Sequence, residues 1–124
     1  MLSLNKIVAF VPTKDAKKAR LFYEGILGLR FVSEDKFALV LDANGIMVRV
    51  ALTPEFDPQP FTIMGWEVSD IKKEVARLQG QGVRLEMYGM KGQDEQGIWS
   101  SPNGAKVAWF KDPEGNVLSL TQFS

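Results

Sequence analysis

Residues 6–15, KIVAFVPTKD, and residues 61–70, FTIMGWEVSD, share one design: an apolar run that closes on an aspartate. Each aspartate leads into a helical pattern. After Asp15, the apolar residues Ala19, Phe22, Tyr23, Ile26 and Leu27 recur at three- and four-residue steps, which places them on one stripe of a helix. After Asp70, Ile71, Val75 and Leu78, with Ala76 beside them, give a shorter stripe. A carboxylate at this position accepts from backbone N–H groups that the first helical turn leaves free, so Asp15 and Asp70 are predicted N-caps. Glycine closes both stripes, at Gly28 and at Gly80 or Gly82, because it takes the left-handed conformation that ends a helix.

The repetition continues outward from these two starts. In the first half the runs FVSE (31–34), FALVLD (37–42) and MVRVAL (47–52) read as strands, separated by Asp35-Lys36 and Asn44-Gly45. In the second half VRLEMY (83–88), GIWSSP (97–102), AKVAWFK (105–111) and VLSLTQ (117–122) read the same way. Their separators are GMKGQDEQG, Pro102-Asn103-Gly104 and Asp112-Pro113-Glu114-Gly115-Asn116, all turn-forming in composition. Residues 53–60, TPEFDPQP, hold three prolines and do not suit a central strand. The prediction is an α+β chain of two tandem βαβββ modules: one domain over 1–124, with modules at 6–52 and 61–123 and a proline-rich linker at 53–60.

Bulk composition narrows the function. The 124 residues are 45% apolar and 24% charged, an ordinary globular balance. Fifteen basic residues face fifteen acidic ones, so no net field gathers nucleic acid or an anionic membrane. No run approaches the roughly 18 apolar residues of a membrane helix. The start, MLSLNKIVAFVP, lacks a charged region before its apolar run and a small-residue cleavage site, so no signal peptide is expected. Histidine and cysteine are both absent. That removes a disulfide, a structural zinc site, a haem and any nucleophile activated by histidine. A cytoplasmic protein is expected.

Two motifs make the pattern specific. LFYEGILGLRF at 21–31 and KDPEGNVLSL at 111–120 are similar to the "FY…LG" helix end and the "DP-x-G-N" turn of the vicinal oxygen chelate superfamily. That superfamily contains glyoxalase I, extradiol dioxygenases, fosfomycin-resistance enzymes and bleomycin-binding proteins. The resemblance runs from residue 6 to about 123. It implies strands curled into a half-open barrel with a central cavity, commonly in a homodimer. In metal-bearing members four inward side chains hold the ion. The resemblance places these positions at Val8, at Arg49 or Val50, at Ile63 (Met64 if the register slips by one) and at Ser119. None of these is an imidazole or a carboxylate, so no metal and no other cofactor is expected.

The remaining candidates are aromatic and polar. Trp66, Trp99 and Trp109 all lie in the second module, with Tyr88 and Phe110 near in sequence. Strand alternation sends Trp109 and Phe110 to opposite faces, so one can line a cavity while the other packs beneath a helix. Trp99, beside the polar SSPNG, is the tryptophan expected to be partly exposed. Arg49 lies among apolar neighbours; if inward, it needs a carboxylate such as Glu67, or an anionic ligand, as partner. Ser119 offers a hydroxyl, and Glu67 a carboxylate, on inner strands. Candidate ligand-binding residues are therefore Arg49, Glu67, Trp99, Trp109 and Ser119, with no catalytic residue assigned. The four glycines of 89–104 suit either a flap or a plain connection. The leading functional expectation is a metal-free protein that binds a small organic ligand in an aromatic cavity. Two alternatives stand: a lyase-, isomerase- or dioxygenase-like enzyme with an unconventional site, and a structural or regulatory dimer module with a collapsed cavity.

Overall fold

In the computed structural model, which describes residues 1–124, the chain separates into two units, Met1–Asp57 and Pro58–Ser124. The first unit contains β1 (Val8–Thr13), α1 (Ala16–Arg20), β2 (Arg30–Glu34), β3 (Ala38–Ala43) and β4 (Ile46–Leu52). Its sheet order is β1-β4-β3-β2, with β1 parallel to β4 and the other pairs antiparallel. The second unit contains β5 (Thr62–Glu67), α2 (Ile71–Gly80), β6 (Trp99–Ser100), β7 (Lys106–Lys111) and β8 (Val117–Gln122). Its order, β5-β8-β7-β6, repeats the first, again with one parallel pair. The fold is two βαβββ modules. No helix is long and apolar enough to cross a membrane.

Both helix starts arise from their aspartates. Asp15 Oδ1 accepts from the Lys18 N–H at 3.1 Å, and Asp70 Oδ1 from the Lys73 N–H at 3.2 Å. The first helix departs from a regular α-helix after Arg20. Residues Leu21–Ile26 form wider turns, with the Leu27 N–H reaching the Phe22 carbonyl at 2.9 Å. Gly25 lies within this stretch and supplies little helical preference to hold the narrower spiral. The widening keeps Ala19, Phe22 and Tyr23 buried, with the Phe22 and Tyr23 rings edge-on at 5.2 Å. Gly28, at φ +80°, ends the element as expected.

Strand alternation divides each sheet into a helix-facing side and an open side. In the first unit Val11, Leu39, Leu41, Val48 and Val50 are buried on the helix side. The intervening residues Val8, Phe10, Val40, Met47 and Arg49 share the open side. In the second unit Ala108, Phe110, Leu118 and Leu120 are buried with Ile71, Val75 and Leu78 of α2. The Asn44-Gly45 turn has positive φ at both positions, 51° and 89°, the geometry a two-residue hairpin needs. Asp35 shapes the preceding turn by accepting from the Phe37 and Ala38 N–H groups, which hold its carboxyl below the usual carboxylate range.

Two predicted strands of the second module shrink. VRLEMY forms no regular strand; only Leu85 bridges Phe110, and the Glu86 N–H donates to the Trp109 carbonyl at 2.8 Å. GIWSSP reduces to Trp99–Ser100, paired with Val107 and Lys106. The reason is competition for one edge. β7 offers a single free side once β8 occupies the other, and residues 85–86 and 99–100 take its two ends. Between them the chain leaves the sheet at Gly89, whose φ is +67°.

The 89–104 segment is neither structureless nor a bare connection. The Gln93 side chain accepts from the Tyr88 N–H at 2.9 Å and donates to the carbonyls of Glu86 (2.9 Å) and Gly97 (3.0 Å). Asp94 Oδ1 accepts from the N–H groups of Gln96 and Ile98, and Ile98 is buried. A pair of short polar side chains thus fastens an excursion that the glycines only permit.

Candidate functional site

The open side of the second sheet carries the aromatic residues. Register places Trp109 of β7 beside Ser119 of β8, and Ser119 beside Gly65 of β5. The next row along the same side is Trp99, Val107, Thr121 and Glu67. Phe110 points the other way and is fully buried, as alternation predicts. Trp66 registers with Leu120 on the helix side and takes no part in the open face.

Trp109 is the centre of this surface. The Tyr88 ring meets it edge-on at 5.4 Å, and the Trp99 ring lies tilted at 6.3 Å. Both separations are typical of favourable aromatic pairs. Trp99 is held by its indole N–H, which donates to the Lys91 carbonyl at 3.1 Å. Partial burial, then the neighbouring Glu86 charge, raise the Tyr88 phenol pKa above its ordinary value. The phenol therefore stays protonated, and able to donate, through neutral and mildly alkaline pH. Its contribution to stability is present below the unfolded value near 10 and is lost as pH rises through the folded one.

Ser119 provides the polar atom of the floor. It is 8% exposed, and its hydroxyl faces the space that Gly65 leaves free of a side chain. Glu67 is exposed one row away and makes no ion pair. Four of the five candidates, Glu67, Trp99, Trp109 and Ser119, therefore share one face of one sheet. Arg49 lies in the other unit, half-buried on the open side of the first sheet, between Phe10 and Val40. It is near enough to lower the Asp35 pKa but forms no direct ion pair.

The sequence marks Tyr88 only as a neighbour and gives Gly65 no role in the site. The available signal for Gly65 was an isolated glycine inside a strand pattern, a mark of close approach by another group.

The positions that the resemblance assigns to metal ligands do not suit a cation. Val8 is on the open side, where its in-register neighbour on β4 is Met47 rather than Arg49. Val50 is excluded because it is buried on the helix side. Ile63 falls at a bulge between Thr62 and Met64, and Met64 registers with Leu118 on the helix side. Two aliphatic chains, a thioether or guanidinium, and a lone hydroxyl form no donor set for a divalent ion. Elsewhere in the chain no three histidine, cysteine, aspartate or glutamate side chains come together as a metal site.

Comparison with known proteins agrees with the fold. Residues 3–120 match the model of the Glyoxalase/Bleomycin resistance protein/Dioxygenase superfamily. No curated protein matches the chain in sequence. Among solved structures, a glyoxalase family protein from Enterococcus faecalis is 18% identical, with 98% of this chain and 99% of that one covered and a TM-score of 0.77. Lactoylglutathione lyase from Agrobacterium tumefaciens is 15% identical, with 95% and 93% covered and a TM-score of 0.75. TnmS3, an antibiotic binding protein from Streptomyces sp. CB03234, is 24% identical, with 97% and 96% covered and a TM-score of 0.74. At these identities the likeness establishes architecture.

Proposed function

Because the chain belongs to the Glyoxalase/Bleomycin resistance protein/Dioxygenase superfamily, we propose that it binds a small, flat organic molecule without a metal, on the open face of its second sheet. The observation that carries this reading is the Trp109 cluster. Tyr88 and Trp99 flank a half-buried indole, and the Ser119 hydroxyl lies in register beside it. An aromatic surface with a few fixed polar atoms is the ordinary make-up of a site for a drug-sized ligand. The rings supply apolar area with few rotatable bonds to immobilise, and Ser119 supplies orientation. Glu67, at the edge of the same face, adds a charge that selects among ligand substituents. No activated nucleophile or acid–base pair accompanies these groups, which favours binding over turnover. The antibiotic binding protein with the same architecture supports that choice, since this fold hosts a binding function there. A cytoplasmic setting, consistent with the absence of cysteine, is part of the same reading.

The test is a calorimetric titration with 2-naphthol and quinoline against the native chain and Trp109→Ala. Truncating the central ring is expected to weaken binding about tenfold, the weight of one well-packed aromatic contact. Equal affinity in a variant whose circular dichroism is unchanged would remove the aromatic site.

The reading includes a two-fold homodimer. Its support is exposed apolar area on the first unit outside the strand row of Val8 and Met47, where Phe10 is 63% and Phe37 65% exposed. Exposed apolar area of this kind commonly marks an interface. Sedimentation equilibrium is expected to give twice the chain mass of 13.9 kDa, and a monomer at micromolar concentration would refute this part.

A further inference from the structure

The open side of the first sheet contains a pocket of about 290 Å³, formed by residues of the first unit alone. Its floor is apolar: Val8 of β1, Val40 of β3 and Met47 of β4. Its rim is charged, with Lys6 just before β1, Arg30 at the start of β2, and Asp42 on β3. We infer that this pocket takes a small apolar molecule bearing a carboxylate, with the apolar body on the floor and the anion between Lys6 and Arg30.

Charge and geometry argue for the anion. Two cations and one carboxylate leave the rim with an excess positive charge. Asp42 is also partly engaged: Oδ2 accepts from the Gly45 N–H at 3.3 Å. Its contact with Arg30 is loose, 3.9 Å from Nε, and the Arg30 side chain is 70% exposed. The guanidinium is therefore free to turn its paired N–H donors toward an incoming carboxylate, for which its planar fork is suited. Lys6 makes no ion pair at all. Register places Arg30, Asp42, Met47 and Val8 in one row across all four strands, so the backbone positions that carry cation and floor are fixed relative to one another. Arg49, one row along on the same side, adds to the positive field.

The floor argues for an apolar body of modest size. Val8, Met47 and Val40 present only carbon and one thioether, and the volume admits a single ring with a short acidic arm. A free inorganic anion would gain nothing from that floor, and an uncharged ring would leave the rim cations to water.

The experiment uses the full-length chain labelled with nitrogen-15, titrated with phenylacetate and, separately, with its uncharged isostere phenylacetamide. Phenylacetate is expected to shift the backbone amides of Val8, Arg30, Asp42 and Met47 saturably, leaving those of Trp99, Trp109 and Ser119 in place. The amide should bind about tenfold more weakly, and Lys6→Gln or Arg30→Gln should each weaken phenylacetate by about threefold to tenfold. Both side chains are solvent-exposed, so the variants retain the native spectrum elsewhere. Equal binding of acid and amide, indifference to both substitutions, shifts confined to the second sheet, or no saturable shift at millimolar ligand would each overturn the inference. Since the aromatic site is read from Trp109→Ala and from second-unit resonances, either proposal can fail without the other.

Discussion

Replacing Asp112 with alanine is expected to lower folding stability by about 3 kcal/mol, a loss large enough to unfold a marginal domain. The carboxylate sits at the head of the turn between β7 and β8 and is 6% exposed. Oδ1 accepts from the Glu114 N–H and the Asn116 N–H, both at 2.9 Å. Oδ2 accepts from the Asn116 side-chain amide at 2.9 Å, and Asn116 is itself buried. Each hydrogen bond to a charged acceptor contributes about 1.5–3 kcal/mol, and alanine leaves the three donors to whatever water can reach them. Asp112→Asn separates charge from shape. It keeps an oxygen for the two backbone N–H groups but turns an NH₂ toward the Asn116 NH₂, so a loss of about 1–2 kcal/mol is expected. Urea denaturation followed by tryptophan fluorescence is the measurement, since Trp66, Trp99 and Trp109 all lie in the second unit. If Asp112→Ala costs under about 1 kcal/mol, the turn does not depend on this carboxylate. The Asp112–Asn116 turn of the family resemblance thus has a folding role of its own.

The features legible in the sequence were those encoded locally: the two aspartate caps, the glycine stops, the Asn44-Gly45 hairpin and the opposed faces of Trp109 and Phe110. Each depends on a few neighbouring residues and on periodicity. Illegible features were those decided by competition between distant segments. VRLEMY has the composition of a strand, yet only Leu85 pairs, because Trp99–Ser100 claims the other end of the same β7 edge. The glycines of 89–104 suggested freedom, while the fastening comes from Gln93 and Asp94, whose side-chain targets no periodicity reveals. For the site, residue type alone brought Glu67, Trp99, Trp109 and Ser119 forward, and register explains why they share a face. Arg49, already legible as a residue of the first module, was drawn into the same group by residue type. A cation among apolar strand neighbours suggests an inward partner, and the sequence does not say which face of its strand is open. The charged pocket beside it is invisible in the sequence for the same reason: Lys6, Arg30 and Asp42 are far apart in the chain and come together only through strand order.

Gly65→Ala should destabilise the protein by about 1–2 kcal/mol, against the usual direction of such a change. The backbone at Gly65 has no left-handed φ, so alanine is allowed there. A strand glycine replaced by alanine ordinarily gains about 0.5–1 kcal/mol, because the unfolded chain becomes less free. Packing reverses the sign. A Cβ at position 65 would collide with the Ser119 hydroxyl oxygen and lie 3.1 Å from the Ser119 carbonyl oxygen. Ser119 is itself nearly buried. In a Ser119→Ala background the hydroxyl contact is gone while the 3.1 Å approach to the backbone carbonyl remains. Gly65→Ala is therefore expected to cost about 1 kcal/mol less than in the native chain, and the two substitutions couple by about that amount. Additive behaviour in the four-variant cycle would mean that the residues do not share the space. The coupling matters for binding as well as folding. Trp109, Ser119 and Gly65 form one row across three strands, and a glycine at its end is what lets a hydroxyl stand beside an indole on an otherwise filled surface. Gly65→Ala should therefore impair 2-naphthol binding even where the fold survives, because the methyl group displaces the Ser119 hydroxyl that stands in register beside Trp109.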